Sequence, residues 1–220
     1  MTYAPPARIF NYGAALLLCV LLLLLTWMQG AAAAAVRVLV LGDSLTAGYG
    51  LSPEEGFTGQ LEARLRAEGF DVQIFNGGVS GDTSAGGLAR LDWALADRPD
   101  LAIVELGAND GLRGLDPAAL QSNLDAILRR LREAGVTVLL AGMRAPPNLG
   151  RDYEAAFNRV FPELAERHDV AFYPFFLDGV AARPELNQAD GIHPNRAGVA
   201  VIVDRITPYV VRLLDNRKPE

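Results

Sequence analysis

Cysteine, lysine and histidine are nearly missing from this 220-residue chain, and each shortage closes off a kind of chemistry. The one cysteine, Cys19, lies inside an apolar run near the start, so residues 36–220 contain none. That region has no disulfide, no thiolate nucleophile and no cysteine-based metal site, even in an oxidising compartment. Lys218 is the single lysine and stands too near the end to serve in a Ser-Lys dyad. Two histidines, His168 and His193, leave a zinc site short of ligands. No phosphate loop of the G-x-x-x-x-G-K type is present, and no G-x-G-x-x-G follows the first predicted strand. G-x-S-x-G is absent too, which argues against a nucleophile elbow. No metal or cofactor is therefore expected. Positive charge is also short. The net charge is -6, or -7 once the first 35 residues and their Arg8 are set aside, and such a chain lacks the electrostatic footprint of a nucleic-acid binder.

Residues 1–35 read as an export signal. Arg8 supplies a short positive region, Ala14 to Trp27 an apolar core, and Ala31 to Ala35 several small-x-small cleavage sites. Strictly apolar length is about 15 residues, short of the roughly 20 that span a bilayer. A cleaved leader and a periplasmic or secreted product are the expectation, with an uncleaved anchor second. Residues 36–220 are enough for one domain with a sizeable core.

Along that domain, strand and helix patterns alternate. Val36–Leu41 reads as a buried strand ending at Gly42-Asp43-Ser44-Leu45. Phe57, Leu61 and Leu65 repeat at helical spacing, and Gly69 ends that helix. Val72–Phe75 is a second short strand, running into the turn Asn76 to Gly81. Ser84–Ala96 reads as one helix. Leu101–Leu106, Val136–Ala141 and Val170–Tyr173 complete five strands. Between them, Leu120, Leu124, Ile127 and Leu131 mark one helix, with Pro117 in its first turn after Asp116, and 153–167 another. A final helix over 196–214 turns Val199, Ile202, Ile206 and Val210 inward. Alternation of this kind predicts a parallel sheet with helices on both faces and right-handed crossovers.

Ser44 would then sit at the carboxyl end of a strand, where open α/β sheets place their ligands. A serine there also caps helices. His168 ends a polar helix and reads as a solvated histidine. His193 lies in a loop of Asp, Gly, Pro and Asn, three residues after Asp190. Such spacing brings carboxylate and imidazole together within one turn of backbone, either as plain turn chemistry or as an acid holding the tautomer of a base. With Ser44 the parts of a nucleophilic triad are present. Acyl transfer also needs donors for an oxyanion. The Ser44 N–H, the Gly81 N–H and the Asn109 amide stand after three strands on one predicted sheet edge.

Four blocks together resemble the GDSL or SGNH hydrolase family: Gly42-Asp43-Ser44-Leu45, the turn ending at Gly81, Gly107-Ala108-Asn109-Asp110, and Asp190-Gly191-Ile192-His193-Pro194. Runs such as Ser80 to Ser84, Val104 to Gly107 and Asp110 to Gly114 are similar to its bacterial thioesterase I, lysophospholipase and arylesterase branch. Ala108 departs from a common second glycine, and Ala145 stands where relatives carry bulkier apolar residues. The resemblance implies a three-layer α/β/α, flavodoxin-like fold with a five-stranded parallel sheet. It implies an esterase with Ser44 as nucleophile, His193 as base, Asp190 as its orienting acid, and Ser44, Gly81 and Asn109 as the oxyanion hole. Asp43 and Asp110 would brace their turns. Gly111, Leu112, Arg113, Ala145 and Pro146 would contact substrate, the 111–115 segment resembling a mobile loop beside an acyl pocket. The expected substrate is a small-molecule or lipid acyl ester, met by a monomer that touches membrane only through its leader or its substrate. A carbohydrate deacetylase and a catalytically idle lipid- or glycan-binding module are the alternatives.

Overall fold

The run VRVLVLG buries its last five residues, as a strand covered on both faces must. It forms β1 (Val36–Gly42) of the computed structural model, which describes residues 1 and 34–217. The expected export signal lies outside the described residues. Beyond Ala34, residues Ala35–Glu220 make up one compact unit. Four strands join β1, all in parallel: β2 (Val72–Gly78), β3 (Leu101–Glu105), β4 (Thr137–Ala141) and β5 (Ala171–Tyr173). Their order is β2-β1-β3-β4-β5. The chain moves outward from β1 to β2, then returns past β1 to β3. The direction of winding therefore reverses between β1 and β3, and the crevice at the carboxyl ends there is where such sheets bind ligands.

Eight helices cover the sheet among the described residues: α1 (Ser44–Ala47), α2 (Phe57–Ala67), α3 (Ser84–Ala89), α4 (Leu91–Leu95), α5 (Ala108–Leu112), α6 (Pro117–Glu133), α7 (Arg151–His168) and α8 (Arg196–Asp215). One group pairs α2 with α8 and another pairs α6 with α3 and α7, giving an α/β/α sandwich. The stripe Leu120, Leu124, Ile127 and Leu131 on α6 is buried as its spacing predicts. Asp116 caps that helix, accepting from the Ala118 N–H, with Pro117 at its first position. None of these helices is long and apolar enough to cross a membrane.

Three local expectations are corrected. The helix expected over 84–96 is two helices, broken at Arg90, whose backbone leaves helical geometry at φ -106° and ψ 8°. Strand β2 runs three residues past Phe75, with Asn76, Gly77 and Gly78 paired to Val40, Leu41 and Gly42. Its two glycines permit this: a Cβ on Gly78 would lie 2.2 Å from the Ala47 nitrogen, and one on Gly77 2.8 Å from the Val40 carbonyl oxygen. His168 is not solvated. It is 8% exposed, and its Nε2 lies 2.9 Å from Asp125 of α6, so it joins α7 to α6. Asp125 is held below the usual carboxylate range by that histidine and by Arg167.

Candidate active site

The turn after β1 begins with Asp43, fully buried, whose carboxylate accepts from the Leu45 N–H at 3.0 Å. Asp43 rather than Ser44 is therefore the cap of α1, and Ser44 is left with its hydroxyl free for other work. Beneath the turn, Glu105 at the end of β3 accepts from the Thr46 hydroxyl at 2.8 Å and from the Asp43 N–H at 3.4 Å. Burial and the adjacent Asp43 push the Glu105 carboxyl well above its ordinary range, which favours its protonated form. Burial raises Asp43 to about 6, against the opposing hydrogen bonds from Leu45 and Asn109.

From the far end of the chain comes the loop before α8. Asp190 Oδ1 accepts from the backbone N–H groups of Ile192 and His193, both at 3.0 Å. Those two bonds, then the ring of His193, hold the Asp190 carboxyl down at about 2. Its other oxygen lies 2.7 Å from His193 Nδ1, and His193 Nε2 lies 2.9 Å from Ser44 Oγ. Ser44, His193 and Asp190 thus form one chain of hydrogen bonds across 149 residues of sequence. Tyr49 stacks beside the imidazole with ring centroids 4.5 Å apart. Gln188 ties the loop to α1: its side-chain amide donates to the carbonyls of Tyr49 at 2.7 Å and Pro194 at 3.0 Å.

The remaining predicted groups come from the ends of β2 and β3. Gly81 has φ +84°, a conformation that glycine adopts without strain. Asn109 lies in the first turn of α5, and its amide donates to Asp43 Oδ2 at 3.1 Å and to the Asp82 carbonyl at 2.9 Å. Neither the Ser44 nor the Gly81 N–H donates to a protein acceptor among the described residues. Asp110 is a brace: its two oxygens accept from the Ser84 N–H and hydroxyl.

A cavity of about 650 Å³ opens over these groups. Ser44, Gly81, Asn109, Leu112, Ala145, Pro146 and His193 all line it. Gly111 and Arg113 do not. Gly111 is packed where a Cβ would touch Phe157 and Pro146, and Arg113 donates to the Gly81 carbonyl at 2.8 Å. Ala145 is 7% exposed with its N–H given to Asn158, a small side chain that leaves room on the wall. Arg144, Phe175 and Leu177 also line the cavity and carried no sequence signal. Arg144 stacks on Phe175, its guanidinium 4.7 Å from the ring centre.

A model of the GDSL-like Lipase/Acylhydrolase family matches residues 40–201. Esterase TesA of Pseudomonas aeruginosa is 46% identical over 183 residues, which cover 83% of this chain and 91% of that protein. Thioesterase 1/protease 1/lysophospholipase L1 of Escherichia coli is 41% identical over 186 residues, 84% of this chain and 88% of that one. A crystal structure of TesA superposes with a TM-score of 0.77 at 45% identity, covering 80% of this chain and 99% of the other. The five parallel strands and their helices are thus the SGNH hydrolase fold, and the chain belongs to the GDSL-like lipase/acylhydrolase family of carboxylic ester hydrolases.

Proposed function

We propose that the chain is an exported serine esterase that works through an acyl-enzyme on Ser44. The observation that carries this is the unbroken contact from Ser44 Oγ to His193 Nε2 at 2.9 Å and from His193 Nδ1 to Asp190 at 2.7 Å. Asp190 fixes the tautomer that leaves Nε2 free to accept the Ser44 proton as the hydroxyl attacks an ester or thioester carbonyl. Charge develops on the carbonyl oxygen, and three donors serve it: the Ser44 and Gly81 N–H groups, which have no protein acceptor among the described residues, and the Asn109 amide. Asn109 turns part of its donation from Asp82 or Asp43 to the oxyanion. His193 next protonates the leaving alcohol or thiol, then takes a proton from the water that releases the acyl group.

The substrate follows from the cavity. About 650 Å³ lined by Leu45, Leu112, Ala145, Pro146, Phe175 and Leu177 suits a medium or long acyl chain better than an acetyl group. Acyl esters and thioesters are also the classes carried in the names of the relatives. The leader-like residues 1–35 are the ground for export, which makes acyl-CoA an improbable encounter and an envelope or extracellular lipid ester the better one.

Treatment with a phosphonate ester followed by peptide mapping tests the nucleophile, and Ser44→Ala tests turnover. A single adduct on Ser44 and a loss of at least about 10³-fold in kcat are expected. A folded Ser44→Ala protein with undiminished esterase activity overturns the mechanism, and the absence of any adduct favours a binding module. Faster turnover of acetyl than of octanoyl aryl esters would point to a deacetylase.

A further inference from the structure

Arg90 stands where the helix expected over 84–96 breaks, and its side chain does something a helix surface residue does not. Two adjacent donors of its guanidinium reach two different loops of the site. Nε donates to Asp82 Oδ2 at 2.6 Å, and Nη2 donates to the Gly42 carbonyl at 2.8 Å. Gly42 is two residues before Ser44, and Asp82 directly follows Gly81. The same Gly42 carbonyl accepts from the Val79 N–H at 3.1 Å, and the Asp82 carbonyl accepts from Asn109 at 2.9 Å. The ion pair is well covered, the Arg90 and Asp82 side chains being 18% and 19% exposed. Its third nitrogen, Nη1, is buried with no protein partner among the described residues, a cost that ordinary surface arginines avoid. The surroundings are shaped to admit the pair: a Cβ on Gly86 would fall 2.5 Å from Asp82 Oδ1.

We infer that Arg90, paired with Asp82, is a positioning residue for catalysis, a strut that sets the Gly81 N–H at the correct distance from Ser44. Arg90 touches no reacting atom. It joins the end of the nucleophile strand to the loop carrying one oxyanion donor, two segments whose last shared backbone bond runs from the Val79 N–H to the Gly42 carbonyl. Past those residues the loop leaves the ladder, and Arg90 spans the gap with a rigid planar fork. Donor placement at an oxyanion is sensitive to small displacements, because the donors act only where charge develops. Arginine suits the task better than lysine, which cannot present two fixed parallel donors. The inference rests on the roles proposed above for Ser44 and Gly81.

Steady-state kinetics on a soluble short-chain aryl ester test it, with Arg90→Met, Arg90→Lys, Asp82→Asn and the double variant Arg90→Met/Asp82→Asn. Thermal unfolding is followed in parallel. For Arg90→Met we expect kcat to fall about 10- to 100-fold, less than loss of a whole oxyanion donor, with KM within about threefold of the parent. Arg90→Lys should recover part of the kcat. The double variant should be no slower than Arg90→Met alone, since both changes remove one shared contact. Should Arg90→Met unfold, the Asp82→Asn and Arg90→Lys proteins carry the same comparison. A kcat within twofold of the parent overturns the inference, as do losses that multiply in the double variant or an effect confined to KM. Ser44→Ala separates the two levels. If it is inert while Arg90→Met is fully active, only the strut fails; if Ser44→Ala is active, the underlying mechanism fails.

Discussion

Replacing Glu105 by glutamine probes the buried acid beneath the nucleophile turn. Glu105 is 0% exposed, takes hydrogen bonds on Oε2 from Thr46 and Asp43, and has no partner at Oε1 among the described residues. Its carboxyl rises well above the ordinary 4.5 because burial penalises the charged form and Asp43 adds a nearby negative charge. The native protein therefore holds this proton to higher pH than the unfolded chain does. Such a group favours the folded state fully below the unfolded pKa, and that contribution is lost as pH rises toward the folded pKa. Each pH unit over which one proton is retained only by the native state lowers stability by about 1.4 kcal/mol. Asp43, raised to about 6, adds a slope of its own, confined to pH below about 6. Glutamine has the same shape, offers an amide oxygen to Thr46 and the Asp43 N–H, and carries no titratable proton. Relative to wild type, Glu105→Gln should gain stability as pH rises above about 6, by at most about 1.4 kcal/mol per pH unit. Urea denaturation at half-unit pH intervals measures it. Stability curves that run parallel for the two proteins would refute the neutral buried acid.

Further outcomes follow from the site. Asn109→Ala should cost about 10²–10³ in kcat with the fold kept, read by steady-state kinetics beside circular dichroism. Because the lost amide also links Asp43 to Asp82, a stability loss of about 1–3 kcal/mol should accompany it. Arg144 sits on the cavity wall with Phe175 as its partner and no ion pair among the described residues. Arg144→Gln should lower kcat/KM for acyl esters whose alcohol bears a phosphate by about 10-fold, and change that for the matched neutral monoacylglycerol by less than twofold. Equal effects on both esters would remove Arg144 from substrate selection.

What can be read from the residues in order, and what cannot, divides along a physical line. Asp190 and His193 are legible because their partnership is local: three residues apart, in a loop whose backbone N–H groups also bind the carboxylate. The stripe of α6 is legible because burial on one face imposes a helical period. Less local features escape. His168 looks solvated in the order Glu166-Arg167-His168-Asp169, yet Asp125, 43 residues away, meets its ring. Arg90 looks like one more residue of an amphipathic helix, and only the fold shows Asp82 and the Gly42 carbonyl within its reach. Glu105 sits in a run of otherwise apolar strand residues, where burial favours its protonated form and Thr46 supplies a hydrogen bond.

Glu105 and Arg90 share a position with Gln188, which carried no signal either. Glu105 lies under the nucleophile turn, Arg90 beside it, and Gln188 bridges it to the histidine loop. Each joins segments that are distant in sequence and that leave the sheet at its carboxyl edge, beyond the last ladder hydrogen bonds of Gly42, Gly78 and Glu105. Backbone pairing thins there to single bonds such as that from the Val79 N–H to the Gly42 carbonyl, and side chains add to the rigidity that catalysis needs. The reacting groups can be named from short motifs, because each sits in its own turn. The side chains that link those turns, Glu105, Arg90 and Gln188, belong to no motif at all. In this domain, then, variants that keep Ser44, His193 and Asp190 but alter Arg90, Glu105 or Gln188 should separate folding from turnover more sharply than changes in the apolar core, where a cavity destabilises without moving one loop against another.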